Sequence, residues 1–225
     1  SKFILTYDMA FAAPAFDAGT YVSGLRVSPA FARNCAPILA ALLQNLPSQP
    51  TTRCILEVAS GPGEHCAHWA KELPAYTFQP TEYDTNALPS ISAYCKDLPN
   101  VQKPLPLDAV APVWEGIDPD GFDAVVAVNL CHISPVGASR GLMEGAARSL
   151  RVGGVLCIYG PFLIDGKPTT ESNANFDASL RARDPSWGIR DVAELDGFGA
   201  PLLRRKALEP MPANNFFGVW ERVQP

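Results

Sequence analysis

Three apolar segments, separated by stretches of helical character, constrain the fold of this chain most strongly. They cover residues 53–58, 122–129 and 155–160, and the middle one reads FDAVVAVN. A strand that is apolar on both faces has to be covered on both faces. The alternation therefore predicts an α/β fold, in which a parallel sheet lies between two layers of helices. Two later segments, 201–207 and 216–223, predict a hairpin added at one edge of that sheet.

The remaining elements follow from apolar periodicity and from helix start signals. Helices are predicted at residues 28–46, 64–73, 86–97, 135–150, 175–183 and 191–197. The first should begin at Ser28-Pro29, and Asn86 should cap the third. Further strands are predicted at 76–81 and, weakly because of its two prolines, at 101–107. We expect an irregular N-terminal arm over residues 1–27 and a single domain over 28–225.

Composition excludes several classes of protein. Apolar residues make up 47% of the 225 residues and charged residues 18%, which is too apolar for a disordered chain. The net charge of −5 and the lack of a basic stripe argue against a nucleic-acid partner. No apolar run approaches the ~18 residues of a membrane span, and no signal-peptide pattern is present. We therefore expect a cytoplasmic protein without membrane partners.

The most informative stretch is the strand-turn-helix sequence ILEVASGPGEH at residues 55–65. Gly61 and Gly63 allow a ligand to approach the main chain closely, and the following helix presents free N–H groups. Glu82 lies 19 residues after Gly63, at the end of the next strand, which suits a carboxylate that binds ribose hydroxyls. Asp84 is a rival for that role. The alternative is that the two glycines have only a structural role and close a tight turn.

Several segments resemble the class I S-adenosylmethionine (SAM)-dependent methyltransferases. They are LEVASGPGEH at 56–65, PTEYDTNAL at 80–88, the PLPLD run that ends at Asp108, FDAVVAVNLCHISP at 122–135 and RVGGVLCIYGPF at 151–162. More narrowly, residues 26–225 resemble a small group of largely unknown function that includes methyltransferase-like protein 26. The resemblance implies a Rossmann-like seven-stranded sheet, mostly parallel with an antiparallel edge hairpin, and helices on both faces.

The resemblance also implies a cofactor site, because in that family the glycine loop holds the methionine end of SAM and the acid after the second strand holds the ribose. Asp108 would then face the adenine, and Asn129 would lie near the methionine amine. The other implied cofactor contacts are Arg33, Asn34, Glu57, Ala59, Gly61, Gly63, and Glu82 or Asp84. The loop departs from the family pattern at Ala59, which replaces the first glycine, and at Pro62, which removes one N–H.

Methyl transfer needs an acceptor held in line with the methyl group and often a base. His132 follows the fourth strand, where such folds place substrate groups, and is the candidate base; a packed histidine is the alternative. Tyr159 and His65 are further catalytic candidates. His65 and His68 share a helix face, but no third ligand has suitable spacing, so no metal site is expected.

Substrate contacts are expected after the fifth strand and in the arm. Active-site loops of an open parallel sheet gather at the carboxyl ends of its strands. The candidates are Tyr21, Asn173, Asn175, Asp177 and Trp187. A surface loop held by its own asparagines is the alternative for 159–175. The aromatic arm would cover an apolar substrate or pair with a second subunit in a homodimer.

Three hypotheses follow. The first is a methyltransferase that uses SAM, releases S-adenosylhomocysteine and acts on a small-molecule acceptor. The second is a cyclase or isomerase of a small-molecule or natural-product pathway that keeps the fold without transferring a methyl group. The third is a non-enzymatic binding protein.

Overall fold

The computed structural model describes residues 21–22 and 25–224, and its centre is a seven-stranded sheet. In chain order the strands are β1 (Cys54–Val58), β2 (Thr77–Glu82), β3 (Leu105–Pro106), β4 (Phe122–Val128), β5 (Leu150–Gly160), β6 (Leu203–Met211) and β7 (Asn215–Arg222). Across the sheet they lie in the order β6-β7-β5-β4-β1-β2-β3. Strands β1 to β5 are parallel, whereas β7 is antiparallel to both β5 and β6. This confirms the predicted mostly parallel sheet with an antiparallel edge hairpin.

Helices cover both faces of the sheet, as the apolar strands predict. They are α1 (Phe31–Asn45), α2 (Glu64–Glu72), α3 (Leu88–Cys95), α4 (Val136–Ser149), α5 (Glu171–Arg183) and α6 (Val192–Gly199). Ile55 of β1 belongs to a buried cluster with residues of α1, α2 and α3, whereas its neighbour Leu56 belongs to a cluster with residues of α4 and α6. Because successive side chains of a strand point to opposite faces, one short strand supports both cores.

Helices α1 and α3 begin later than predicted. Helix α1 starts at Phe31, whose N–H donates to the carbonyl of Ser28 at 3.1 Å, so Ser28 does not act as a side-chain cap. Helix α3 starts at Leu88, after a short turn over Thr85–Ala87 in which the Asp84 carboxylate accepts from the N–H of Asn86. Asp84 therefore caps this short turn, because an Asx side chain bonds the N–H two residues ahead of it, and α3 itself has no side-chain cap from Asn86 or any other described residue.

The segment after β5 is more regular than predicted. Short strands at Phe162–Ile164, Lys167–Pro168 and Arg190–Asp191 form a separate small sheet. Helix α5 begins four residues earlier than predicted, at Glu171, with Thr170 as its cap. Its first turns are polar and lack the apolar periodicity that a sequence-based prediction depends on.

The N-terminal prediction is only partly described. Residues 1–20 and 23–24 lie outside the described residues, so the arm with its boundary at residue 27 stays a prediction. Tyr21–Val22 pairs antiparallel with Leu25–Arg26. Within the described part of the chain, no helix combines the length and the apolar character needed to cross a bilayer.

Candidate functional site

The loop between β1 and α2 turns through three residues with left-handed backbone angles. The φ values are 59° at Ala59, 56° at Gly61 and 101° at Gly63. A Cβ at Gly63 would lie 2.7 Å from the Cα of Ile91, so glycine is required there by both conformation and space. Ala59 adopts the same region at a cost of about 1–2 kcal/mol. The loop therefore adopts left-handed backbone at Ala59 as well as at the two glycines.

Glu82, the last residue of β2, supports this loop from the neighbouring strand. One oxygen of its buried carboxylate accepts from the N–H of Gly61 at 2.7 Å, and the other accepts from the N–H of Asp84 at 3.0 Å. Burial raises the pKa of Glu82, and these backbone hydrogen bonds oppose that shift. The two oxygens of a carboxylate have about four lone pairs between them, so Glu82 retains capacity for a ligand hydroxyl.

Asp84, the other candidate for the ribose contact, makes its hydrogen bonds with Arg26 and Asn86. It pairs with Arg26 at 2.9 Å and caps the turn at Asn86. Although burial acts in the opposite direction, hydrogen bonds from Arg26 and Asn86 hold the pKa of Asp84 below its usual value. Of the two acids, Glu82 is the one that contacts the glycine loop.

Two separate pockets lie beside the loop, and Ala59 lines both; we refer to them as the apolar half and the polar half of a crevice. The apolar half lies at the carboxyl ends of β1 to β4. It is lined by residues that include Tyr83, Leu107, Asp108, Val110, Leu130 and Pro135. The polar half lies between the loop and α2. Its lining includes Ser28, Glu57, Ser60, Glu64, His65 and Asn129.

The apolar half has an exposed rim. Tyr83 is 45% exposed and Val110 55% exposed. Asp108 lies on this rim after β3, is itself exposed, and accepts from the N–H of Val110 at 2.9 Å. Tyr83 and Val110 were not predicted, because single exposed apolar residues carry no sequence signal.

The polar half contains a buried carboxyl group with an unused oxygen. Glu57 is 2% exposed and its Oε2 has no hydrogen-bond partner. Burial raises the pKa of Glu57 to about 7, and the nearby Glu82 adds to the shift while a hydrogen bond from Ser60 opposes it. A buried acceptor without a partner is costly in a folded protein unless a ligand or water satisfies it. The site therefore fits a ligand that brings a donor, such as an ammonium group.

Asn129 lies beside Glu57 at the end of β4. Its backbone is left-handed, with φ at 57°, a conformation that asparagine tolerates better than most residues. Its N–H donates to the carbonyl of Tyr159 at 2.9 Å, which joins the ends of β4 and β5.

Helix α1 brings a second polar group to the polar half. The Asn34 Oδ1 lies 3.0 Å from the Nε2 of His65, and both side chains are buried. Burial lowers the pKa of His65 to about 3, with a further contribution from His68. Burial raises the pKa of Tyr159, and side-chain hydrogen bonds with Asn34 and Asn215 oppose that shift. Arg33, also predicted, is exposed on the same helix and acts on Tyr159 through its charge.

His132 is buried below the β4 end. Burial lowers its pKa to about 3, with Arg190 adding to the shift, and its Nε2 has no hydrogen-bond partner. Phe176 contacts the ring edge-to-face at 5.7 Å between centroids. A Cβ at Gly160 would lie 3.2 Å from the His132 Nδ1, so the missing side chain at Gly160 makes room for the ring.

Arg190 fixes the turn that carries His132, and no sequence pattern predicted this role. Its buried guanidinium donates to the carbonyls of Cys131 and Ser134 on either side of the histidine. The carbonyl of His132 itself accepts from the N–H of Gly188 at 3.1 Å.

The predicted substrate residues lie away from the crevice or are engaged within their own segment. The Asn173 amide donates to Thr169 and to the carbonyl of Asn214, and Asn175 is exposed. Asp177 accepts from Arg181 and from the N–H of Ile189. Trp187 packs against the small buried cluster of α5. These four are not among the described residues that line either half, and nothing is described of the side chain of Tyr21.

Among the described residues, no group of three or more histidine, cysteine or acidic side chains is arranged to hold a metal ion.

Sheet order and crevice together define a class I methyltransferase fold, and solved structures agree. An O-methyltransferase family protein from Burkholderia thailandensis superimposes with a TM-score of 0.67 at 18% identity, covering 87% of this chain and 58% of that one. Human N-acetylserotonin methyltransferase in complex with SAM gives 0.69 at 11% identity, covering 86% and 53%. The YcgJ protein from Bacillus subtilis gives 0.63 at 13% identity, covering 86% and 100%. The chain thus spans little more than half the length of the first two of these proteins.

A family model matches residues 25–222, and its description is a protein of unknown function, DUF938. The chain belongs to this family. The description of this family assigns its members no activity.

Proposed function

We propose that this protein binds SAM in the crevice and transfers its methyl group to a small-molecule acceptor. The observation that carries the proposal is the pair of carboxyl groups beside the glycine loop. Glu82 contacts the loop from β2, and Glu57 holds an unpartnered oxygen at the end of β1. The O-methyltransferase neighbours share only the fold at these identities, so they support the proposal without carrying it.

Each half of the crevice suits one end of the cofactor. The apolar half would take the adenine, with Asp108 on its rim, and Glu82 would accept from the ribose hydroxyls. In the polar half, Glu57 and Asn129 would hold the methionine amine. Arg33 on α1, which is exposed and acts on Tyr159 through its charge, would pair with the methionine carboxylate. When bound, SAM supplies an electrophilic methyl group on a positively charged sulfur.

His132 is the proposed proton acceptor. With a pKa of about 3, its imidazole is neutral throughout the physiological range. It is therefore always able to accept a proton, although only as a weak base. A base of this strength suits an acceptor that loses its proton during or after methyl transfer, when the methylated oxygen or nitrogen has become strongly acidic.

A second candidate function, a cyclase or isomerase that does not transfer methyl, is favoured by Ala59. The side chain of Ala59 stands where the class I methyltransferase pattern has its first glycine, and it lines both halves of the crevice. Such an enzyme would use the pocket or the cofactor's charge and leave the methyl group in place.

The test starts with calorimetric titration of the protein with SAM and S-adenosylhomocysteine. Binding should be saturable, and Gly61→Val should abolish it. Gly166→Val is the matched control, because Gly166 has a φ of 73° with nothing within 4 Å of the added Cβ. Absence of binding to the unmodified protein would contradict the proposal.

The second step incubates the protein and SAM with a panel of phenols, amines and carboxylic acids, followed by mass spectrometry. Methyl transfer predicts a product heavier by one methyl group, together with S-adenosylhomocysteine. A product of unchanged mass would support the cyclase or isomerase instead.

A further inference from the structure

The polar half of the crevice is lined mainly by hydrogen-bond acceptors. His65 is the lining residue that can either donate or accept a hydrogen bond. Glu57 and Glu64 accept when ionised. A neutral imidazole carries a proton on one nitrogen and a lone pair on the other, and the partner of one nitrogen decides the role of the other. The tautomer of His65 therefore decides whether it attracts or repels a cationic ligand.

Asn34 contacts the Nε2 of His65 through its Oδ1, at 3.0 Å. Because an amide oxygen only accepts, this contact requires the proton on Nε2 and leaves the lone pair on Nδ1. His65 is neutral at physiological pH, since its pKa is lowered to about 3 by burial and by His68. The ring is also held in place by Phe31, edge-to-face at 5.1 Å between centroids, and by Trp69 at 5.4 Å.

We propose that Asn34 is a positioning residue that fixes His65 as the Nε2–H tautomer, so that Nδ1 accepts a hydrogen bond from the ammonium end of the ligand in the polar half. Nε2 is occupied by Asn34, so Nδ1 is the ring nitrogen left for a ligand. The second part of this inference rests on the proposed function, because it takes the polar half as the site of the methionine amine.

The first test reads the tautomer directly from nitrogen-15 NMR of the His65 ring in the ligand-free protein. A protonated and an unprotonated ring nitrogen have well separated shifts, so the spectrum assigns the proton. The expected result is a proton on Nε2. Asn34→Leu should give a mixture of tautomers, whereas Asn34→Asp should keep the proton on Nε2, because a carboxylate also accepts there. Tyr159→Phe should leave the His65 signals unchanged, since it keeps the Asn34 Oδ1.

The second test compares two adenosyl ligands by calorimetry. S-adenosylhomocysteine carries the amine, and 5′-deoxy-5′-methylthioadenosine lacks the whole amino-acid end. Asn34→Leu should lower the affinity for S-adenosylhomocysteine roughly tenfold, as expected for loss of one hydrogen bond to a charged group. The affinity for methylthioadenosine should not change. Asn34→Asp should retain the affinity for S-adenosylhomocysteine. Circular dichroism and thermal melting check that each variant is folded.

A proton on Nδ1 in the unmodified protein would overturn the inference, as would equal weakening of both ligands by Asn34→Leu. If the unmodified protein bound neither ligand, the proposed function would be contradicted, and so would the hydrogen bond from the ligand's ammonium group to Nδ1. The tautomer assignment would still be decided by the spectra alone.

Discussion

The backbone N–H of Gly61 donates to the Glu82 carboxylate at 2.7 Å, so the acid at the end of β2 holds the loop that follows β1. The second oxygen of Glu82 accepts from the N–H of Asp84, so a backbone hydrogen bond holds each of the two carboxylate oxygens. A ligand that contacts this carboxylate therefore meets a group whose position is already set. Pre-organisation of this kind lowers the entropy that binding has to offset.

The first prediction concerns Glu82→Gln. An amide can accept on one side only, so one of the two backbone N–H groups loses its partner while buried. We expect the free energy of unfolding to fall by about 1–3 kcal/mol, and S-adenosylhomocysteine binding to weaken at least tenfold. Chemical denaturation and calorimetry measure the two effects. Glu72→Gln, on the exposed end of α2, is the control and should change neither.

The second prediction concerns pH and Glu57. Its pKa rises from 4.5 to about 7 on folding because of burial, so the folded state resists ionisation. The stability associated with this group is fully present below pH 4.5 and is lost as the pH rises through 7. The linkage amounts to about 3 kcal/mol. Glu57→Gln cannot ionise, so its stability relative to the unmodified protein should increase between pH 5 and pH 8. Denaturation at both values tests this, and an unchanged difference would contradict it.

The sequence was sufficient for the frame of this fold. Continuous apolar segments at 53–58 and 122–129 predict buried parallel strands, and the ILEVASGPGEH motif predicts the turn between β1 and α2. The spacing to the end of β2 identified Glu82 and Asp84 as candidates. It could not choose between them, because the choice depends on Arg26, which reaches Asp84 from a distant part of the chain.

Other parts of the site depend on contacts that leave no local pattern. Arg190 follows Ile189 and precedes Asp191 with no motif around it, yet its guanidinium is buried against two carbonyls beside His132. Asn173 and Asp177 looked like substrate contacts because they follow β5. In the structure the Asn173 amide donates to the carbonyl of Asn214, and the Asp177 carboxylate accepts from the N–H of Ile189. A sequence does not distinguish a polar group bonded within the protein from one turned to a ligand.

The third prediction tests the space around His132. Gly160→Ala places a Cβ 3.2 Å from the His132 Nδ1, so the ring has to shift by a few tenths of an ångström. If His132 is the proton acceptor, kcat should fall about tenfold or more, because base geometry is sensitive to small displacements. Binding of S-adenosylhomocysteine should stay unchanged. The control is Gly197→Ala, where nothing lies within 4 Å of the new atom. Full turnover by both Gly160→Ala and His132→Ala would exclude His132 as the base.

The fourth prediction concerns Arg190. Arg190→Ala removes the donors for the carbonyls of Cys131 and Ser134, so we expect the free energy of unfolding to fall by about 2–4 kcal/mol. Arg190→Lys should recover only part of this, because an ammonium lacks the planar fork of the guanidinium. Denaturation measures both, with the exposed Arg204→Ala as control. Equal stability of Arg190→Ala and Arg204→Ala would show that the turn holds without these bonds.

The fifth prediction separates backbone strain from pocket shape at Ala59. Its φ of 59° lies in the left-handed region, so Ala59→Gly relieves strain and should stabilise the fold by about 0.5–1 kcal/mol after the larger chain entropy of glycine is subtracted. Ala213 has a φ of 58° in the turn before β7, so Ala213→Gly should stabilise by a similar amount. Only Ala59→Gly also removes a methyl group from the crevice. Tighter binding of SAM by Ala59→Gly, with no change for Ala213→Gly, would show that the alanine limits the cofactor site. Equal binding by both would assign Ala59 a conformational role alone.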